Sequence, residues 1–77
     1  MKTILFIGGT GFIGSKIIDY FSHRDFRIIV LSRKGKSASK KFYNYQNIKF
    51  IQASLAEIEI IEDTIVSEHV DIVIHLA

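Results

Sequence analysis

Ile4-Leu5-Phe6-Ile7-Gly8-Gly9-Thr10-Gly11-Phe12-Ile13-Gly14-Ser15 decides how this chain is read. A short apolar run stops at four glycines within seven residues, and an amphipathic helical pattern opens directly after them. The glycines fit G-x-G-x-x-G counted from Gly9, or G-x-x-G-x-x-G counted from Gly8. So sharp a turn from strand into helix requires a positive φ somewhere in Gly8–Gly11, which glycine adopts without steric cost. A Cβ in this turn would also collide with a diphosphate brought against the backbone. The first N–H groups of the helix have no acceptor within it and would donate to phosphate oxygens, helped by the helix dipole. Gly14 is expected to face the sheet and let helix and strand pack closely. A tight turn that binds nothing would use the same residues. The placement between strand and helix favours the phosphate cradle.

Working outward, short apolar runs alternate with amphipathic stretches. Lys2–Ile7, Arg27–Ser32, Ile48–Ala53 and Asp71–Ala77 are the strand candidates. Their continuous β-branched character suits a parallel sheet covered by helices on both faces. Ile13, Ile17, Tyr20 and Phe21 recur with helical spacing, and His23 and Arg24 close that helix at the negative end of its dipole. Ile58, Ile61 and Ile65 form a second helical stripe. Ser54-Leu55-Ala56-Glu57 has the form of a capping box before it. The stretch from Lys36 to Asn47 reads as a loop with a turn or two of helix. Right-handed crossovers then predict an α/β fold with a parallel four-stranded sheet of order 3-2-1-4, the first half of a doubly wound sheet plus one strand.

Composition narrows the functional classes. The 77 residues allow a single small domain. There is no cysteine, which excludes a disulfide scaffold, a thiolate metal site and a cysteine nucleophile, and fits a cytoplasmic setting. No apolar run approaches the ~20 residues that span a bilayer. The apolar start breaks at Gly8, too early for a secretory signal. The net charge of +2 does not imply nucleic acid, and no aromatic stacking platform accompanies the basic middle of the chain. Neither a nucleic-acid nor a membrane partner is expected. His23, His69 and His75 are too scattered for a local metal motif. His75, in an apolar strand, is expected to be semi-buried, and His69 to act as a helix cap.

The glycine stretch resembles the opening of the extended short-chain dehydrogenase/reductase family, the NAD(P)-dependent epimerase/dehydratase group that acts largely on nucleotide sugars. Asp71-Ile72-Val73-Ile74-His75-Leu76-Ala77 is similar to that family's fourth strand, where a V-x-H-x-A segment lies under the cofactor. The resemblance runs from Lys2 to Ala77 and implies a Rossmann-like half. It places the backbone of Gly8, Gly11, Phe12, Ile13 and Gly14 around a pyrophosphate. Leu76 and Ala77 would lie near the cofactor ribose and nicotinamide. The family's catalytic Tyr-x-x-x-Lys pair would lie beyond residue 77. Tyr45 and Lys49 have that spacing but fall where a helix is not expected, so they read as a coincidence. No catalytic residue is assigned.

An NAD-binding unit usually carries an acid about 20 residues past the glycines. Here Leu31-Ser32-Arg33-Lys34 offers no carboxylate. Ser32 takes the acid's place, and Arg33 would pair with a 2′-phosphate through charge-assisted hydrogen bonds. NADP is therefore favoured, with NAD as the alternative. The family's acidic residue at the end of the third strand is replaced by Ser54, which would contact adenine or cap the next helix.

The expectation is thus a partial dinucleotide-binding domain over residues 1–77, truncated after its fourth strand. It would be the NAD(P)-binding N-terminal portion of an epimerase, dehydratase or reductase, inactive alone, and self-associating through an exposed fourth strand. A non-catalytic NAD(P)-binding sensor would use the same glycine loop. A remnant that binds nothing is the third reading.

Overall fold

A computed structural model describes residues 1–8, 11–33 and 45–76 of the chain. Gly9, Thr10, Lys34, Lys36, Ala77 and most of the expected loop fall outside the described residues. The element order is β1 (Lys2–Ile7), α1 (Phe12–Ser22), β2 (Phe26–Ser32), β3 (Ile48–Gln52), α2 (Ile58–Ser67) and β4 (Ile72–His75). All strand pairs are parallel, and the sheet order is β3-β2-β1-β4, as the crossover argument predicts.

Alternation along each strand divides the core into two layers. Ile4, Phe6, Ile28, Val30 and Ile48 form one layer with Ile18 of α1. Leu5, Ile7, Ile29, Leu31 and Ala53 form the other, packed by Ile60, Ile61 and Ile65 of α2. The central strands β1 and β2 are covered on both faces, which is why Ile4–Ile7 and Ile28–Leu31 are apolar at consecutive positions rather than at every second one.

Both helices are rotated from the stripes read in the sequence. Ile18 is the fully buried residue of α1, with Ile17 and Phe21 beside it, while Ile13 and Tyr20 are exposed. In α2 the inward face is Ile60, Ile61, Thr64 and Ile65, and Ile58 is exposed. Each helix has apolar residues on more than one face, so periodicity alone left a rotation of about one residue undecided. In β4, Ile72 and Val73 are exposed, as expected of a strand whose outer edge nothing among the described residues pairs with, and so is His75. His75 is accordingly a surface residue rather than a semi-buried one.

The expected capping box is half formed. The Ser54 N–H donates to Glu57 Oε1 at 3.0 Å, and the Glu57 N–H donates to the Ser54 carbonyl, also at 3.0 Å. These bonds close a turn ahead of α2, whose N-cap is Glu57 with no side-chain cap. His69 does act at the helix end, through its backbone. It adopts φ 53°, its N–H donates to the Val66 carbonyl at 3.3 Å, and the Val70 N–H reaches the Ile65 carbonyl at 3.1 Å. This is a Schellman closure, with Val70 and Ile65 packed on the same core layer.

Candidate dinucleotide site

Because all four strands are parallel, their C-terminal ends lie along one edge of the sheet. Gly8 follows β1 there, Ser32 and Arg33 end β2, Ser54 follows β3, and Leu76 follows β4. The connection from β1 runs through α1 to β2 on one side, and the connection from β3 runs through α2 to β4 on the other side of β1. In doubly wound sheets the crevice at such a switch is where ligands bind.

Gly8 supplies the turn, with φ at 82°. A side chain there would be strained, so this glycine is needed for the fold itself. Its N–H extends the sheet by donating to the Leu31 carbonyl at 2.9 Å. Gly8 therefore allows close approach but has no amide left for a phosphate. Gly11 differs in kind. It is the N-cap of α1 with ordinary extended dihedrals, φ −78° and ψ −174°, and makes no side-chain cap. Among the described residues a Cβ added to it would meet nothing within 4 Å. Neither its backbone conformation nor its packing requires glycine.

The space in front of Gly11 is edged by the start of α1. The first bond closing this helix runs from the Ser15 N–H to the Gly11 carbonyl at 2.9 Å. The N–H groups of Phe12, Ile13 and Gly14 thus precede any intrahelical acceptor. The side chains of Phe12 and Ile13 are exposed. The Lys16 ammonium sits 4.9 Å from the Phe12 ring centre and adds positive charge to the same turn. Gly14 is half-buried, three to four residues before Ile17 and Ile18 on the core-facing side. These features fit a pyrophosphate: donors without an intrahelical acceptor, the positive end of a dipole, and room among the described residues where a Cβ would stand.

At the end of β2, Ser32 is buried and its carbonyl accepts from the Ala53 N–H at 2.9 Å. Arg33 is exposed and makes no ion pair among the described residues. Ser54 is half-buried with its N–H committed to Glu57. The Leu76 N–H donates to the Ile7 carbonyl at 2.9 Å, which sets Leu76 beside the β1 turn.

Tyr45 and Lys49 are held apart. The Tyr45 hydroxyl donates to Asp19 Oδ1 at 3.2 Å on the α1 side of the sheet, whereas the Lys49 ammonium reaches Glu68 Oε2 at 2.9 Å at the end of α2. Burial, and then the Asp19 carboxylate, push the Tyr45 phenol above its usual value, the reverse of what a lysine-assisted base needs. Among the described residues no three His, Asp or Glu side chains are placed to hold a metal ion, and no helix is long and apolar enough to cross a membrane.

The family model described as NAD dependent epimerase/dehydratase matches residues 4–77. The chain belongs to that family. It is 32% identical over its whole length to a dTDP-D-glucose 4,6-dehydratase of Dictyostelium discoideum, of which it covers 19%. It is 34% identical over 99% of its length to the enzyme of that name from Mus musculus, covering 23% of it. Among solved structures it superimposes over its full length, at a TM-score of 0.85, on a dTDP-glucose 4,6-dehydratase from Bacillus anthracis in complex with NAD, with 25% identity and 27% of that chain covered. It fits equally well, also at 0.85, on a UDP-Glc/GlcNAc 4-epimerase from Campylobacter jejuni, at 28% identity over 24% of that chain. The chain spans between 12% and 23% of the length of curated relatives matched along nearly all of it.

Proposed function

We infer that this chain binds NAD(P) across the C-terminal ends of β1, β2 and β4. In this reading it is the N-terminal dinucleotide-binding portion of an epimerase, dehydratase or reductase acting on a nucleotide sugar. One observation carries the reading: Gly11 has an ordinary backbone conformation and, among the described residues, open space where its Cβ would be, so its lack of a side chain serves something that approaches from outside. The amides of Phe12, Ile13 and Gly14 hold the pyrophosphate. Leu76 lies toward the nicotinamide half. When bound, the nicotinamide supplies a hydride donor and acceptor. The chain supplies binding and orientation only, since its one Tyr-x-x-x-Lys pair is split across the sheet.

NADP is the preferred form. Arg33 is exposed and free of ion pairs among the described residues at the end of β2, where an acid would hold a ribose 2′-hydroxyl, and its guanidinium suits a 2′-phosphate. Ser54 contacts the adenine side. A cytoplasmic location belongs to the same reading.

Calorimetric titration of the chain with NADPH and NADH, alongside Gly11→Ala, tests the reading. Binding to the wild type, weakened tenfold or more in Gly11→Ala with thermal stability unchanged, is the expected result. No binding of either nucleotide, or equal binding by the variant, would overturn it.

A further inference from the structure

The C-terminal edge of the sheet carries a carboxylate fixed to the end of a strand. The Ala53 N–H donates to the Ser32 carbonyl at 2.9 Å and ties the end of β3 to the end of β2. On the next residue the Ser54 N–H donates to Glu57 Oε1 at 3.0 Å. The Glu57 carboxylate is thereby held one residue beyond the β2–β3 junction, while Arg33 follows Ser32 on the neighbouring strand end. The other acids are placed differently. Asp19 lies in the last turn of α1, and Glu68 and Asp71 precede β4, all toward the opposite edge of the sheet. Glu59, in the first turn of α2, is exposed, and no bond ties it to the sheet among the described residues.

A carboxylate offers acceptors and no donor. With one Glu57 oxygen on the Ser54 amide, the group can only accept from whatever meets its other oxygen. The phosphates of a dinucleotide are anionic and are repelled there. The base is neutral and brings a donor. With the nicotinamide toward β4, the diphosphate at α1 and a 2′-phosphate at Arg33, the base reaches the end of β3.

We propose that Glu57 sets the identity of the base: its Oε2 accepts from the 6-amino group of adenine and opposes the 6-oxo oxygen of hypoxanthine or guanine, which is itself an acceptor. This rests on the dinucleotide reading above and names the residue that makes that site specific for adenine. Discrimination comes from the mismatch as much as from the match, because a 6-oxo base sets two acceptors against each other with no hydrogen between them.

Glu57→Gln separates this role from closure of the turn. The glutamine oxygen keeps the Ser54 N–H bond, and its amide nitrogen then presents a donor where Oε2 stood. The variant should hold its thermal midpoint while its base preference moves toward the 6-oxo form. Calorimetric titration with NADPH, and with the analogue in which hypoxanthine replaces adenine, reads that preference directly. The wild type should bind NADPH about tenfold tighter than the analogue or better. Glu57→Gln should lower this ratio by about tenfold or more, and Glu59→Gln should leave it at the wild-type value. Failure of the wild type to bind either nucleotide would overturn the dinucleotide reading together with this one. A wild type with a smaller preference, a ratio that Glu57→Gln lowers by less, or one that Glu59→Gln lowers as much, would overturn the role of Glu57 alone and leave dinucleotide binding standing.

Discussion

Asp71 and Thr3 are tied by two hydrogen bonds that start the β1–β4 ladder. The Asp71 N–H donates to the Thr3 carbonyl at 2.9 Å, and the Thr3 N–H donates to Asp71 Oδ2 at 2.8 Å. Thr3 is buried, so its amide has no recourse to water. The carboxylate stands where a carbonyl of a longer β4 would otherwise accept. The residues are 68 positions apart, and the clasp holds the edge strand to the sheet at the end opposite the nucleotide site.

Removing the acceptor should therefore be costly. Asp71→Ala orphans a buried N–H and should lower stability by about 1–3 kcal/mol, measured by urea denaturation. Asp71→Asn retains an oxygen in the same place and should lose less than half as much. Equal losses in the two variants would show that charge, rather than acceptance of the Thr3 amide, is what matters.

His69 offers the opposite opportunity. It is the sole described residue other than glycine with positive φ, at 53°, and it closes α2 where glycine is preferred. His69→Gly relieves a left-handed conformation that costs a side chain about 1 kcal/mol. The midpoint of thermal unfolding should rise by several degrees. A fall would mean that the exposed imidazole makes a stabilising contact outweighing this strain.

Glu68 joins the end of α2 to the sheet. Its carboxylate accepts from the Arg27 guanidinium, and its second oxygen accepts from Lys49 at 2.9 Å. The Arg27 hydrogen bond, then that of Lys49, lowers the Glu68 pKa from its ordinary 4.5, against the opposing effect of desolvation. A depressed carboxylate stabilises the fold above its unfolded-state value, and that contribution is lost as pH falls from there through the folded-state value. Stability should accordingly decline below about pH 4.5, and Glu68→Gln should flatten that part of the profile. An unchanged acid limb in the variant would assign the decline to other carboxylates. At neutral pH the substitution should cost about 1 kcal/mol, since the cations it faces are partly exposed.

The nucleotide preference has its own test. Arg33→Ala should weaken NADPH binding roughly tenfold, the worth of a charge-assisted hydrogen bond, while leaving NADH binding within about twofold. Wild-type chain that binds NADH tenfold tighter than NADPH would reverse the assignment and leave Arg33 as a solvated surface cation.

Much of this was legible in the linear chain because its causes are local. The glycines between Ile7 and Phe12 can be recognised wherever they sit, since the demand for a turn and for bare amides is met within a few residues. The apolar runs of β1 and β2 announce strands covered on both faces, and the crossover rule then orders the sheet. The open space at Gly11 and the positive φ of Gly8 have a single sequence signal, a glycine, yet the two glycines serve different ends. Only coordinates separate one needed by the fold from one the protein itself does not require.

Relations between distant residues were not legible. The rotation of α1 that buries Ile18 and exposes Ile13 depends on which flank meets β1 and β2, and both flanks are apolar enough to compete. The exposure of His75 depends on what packs over its face of β4, a property of the folded chain rather than of the apolar run around it. The Asp71–Thr3 clasp and the Glu68 junction join positions that nothing in their local sequence connects. The sequence by itself determined the element types, the parallel order and the glycine turn, because backbone sterics and hydrophobic period act over a few residues. Tertiary structure alone decided which helix faces are buried and which charges meet, because those depend on what the folded chain brings alongside.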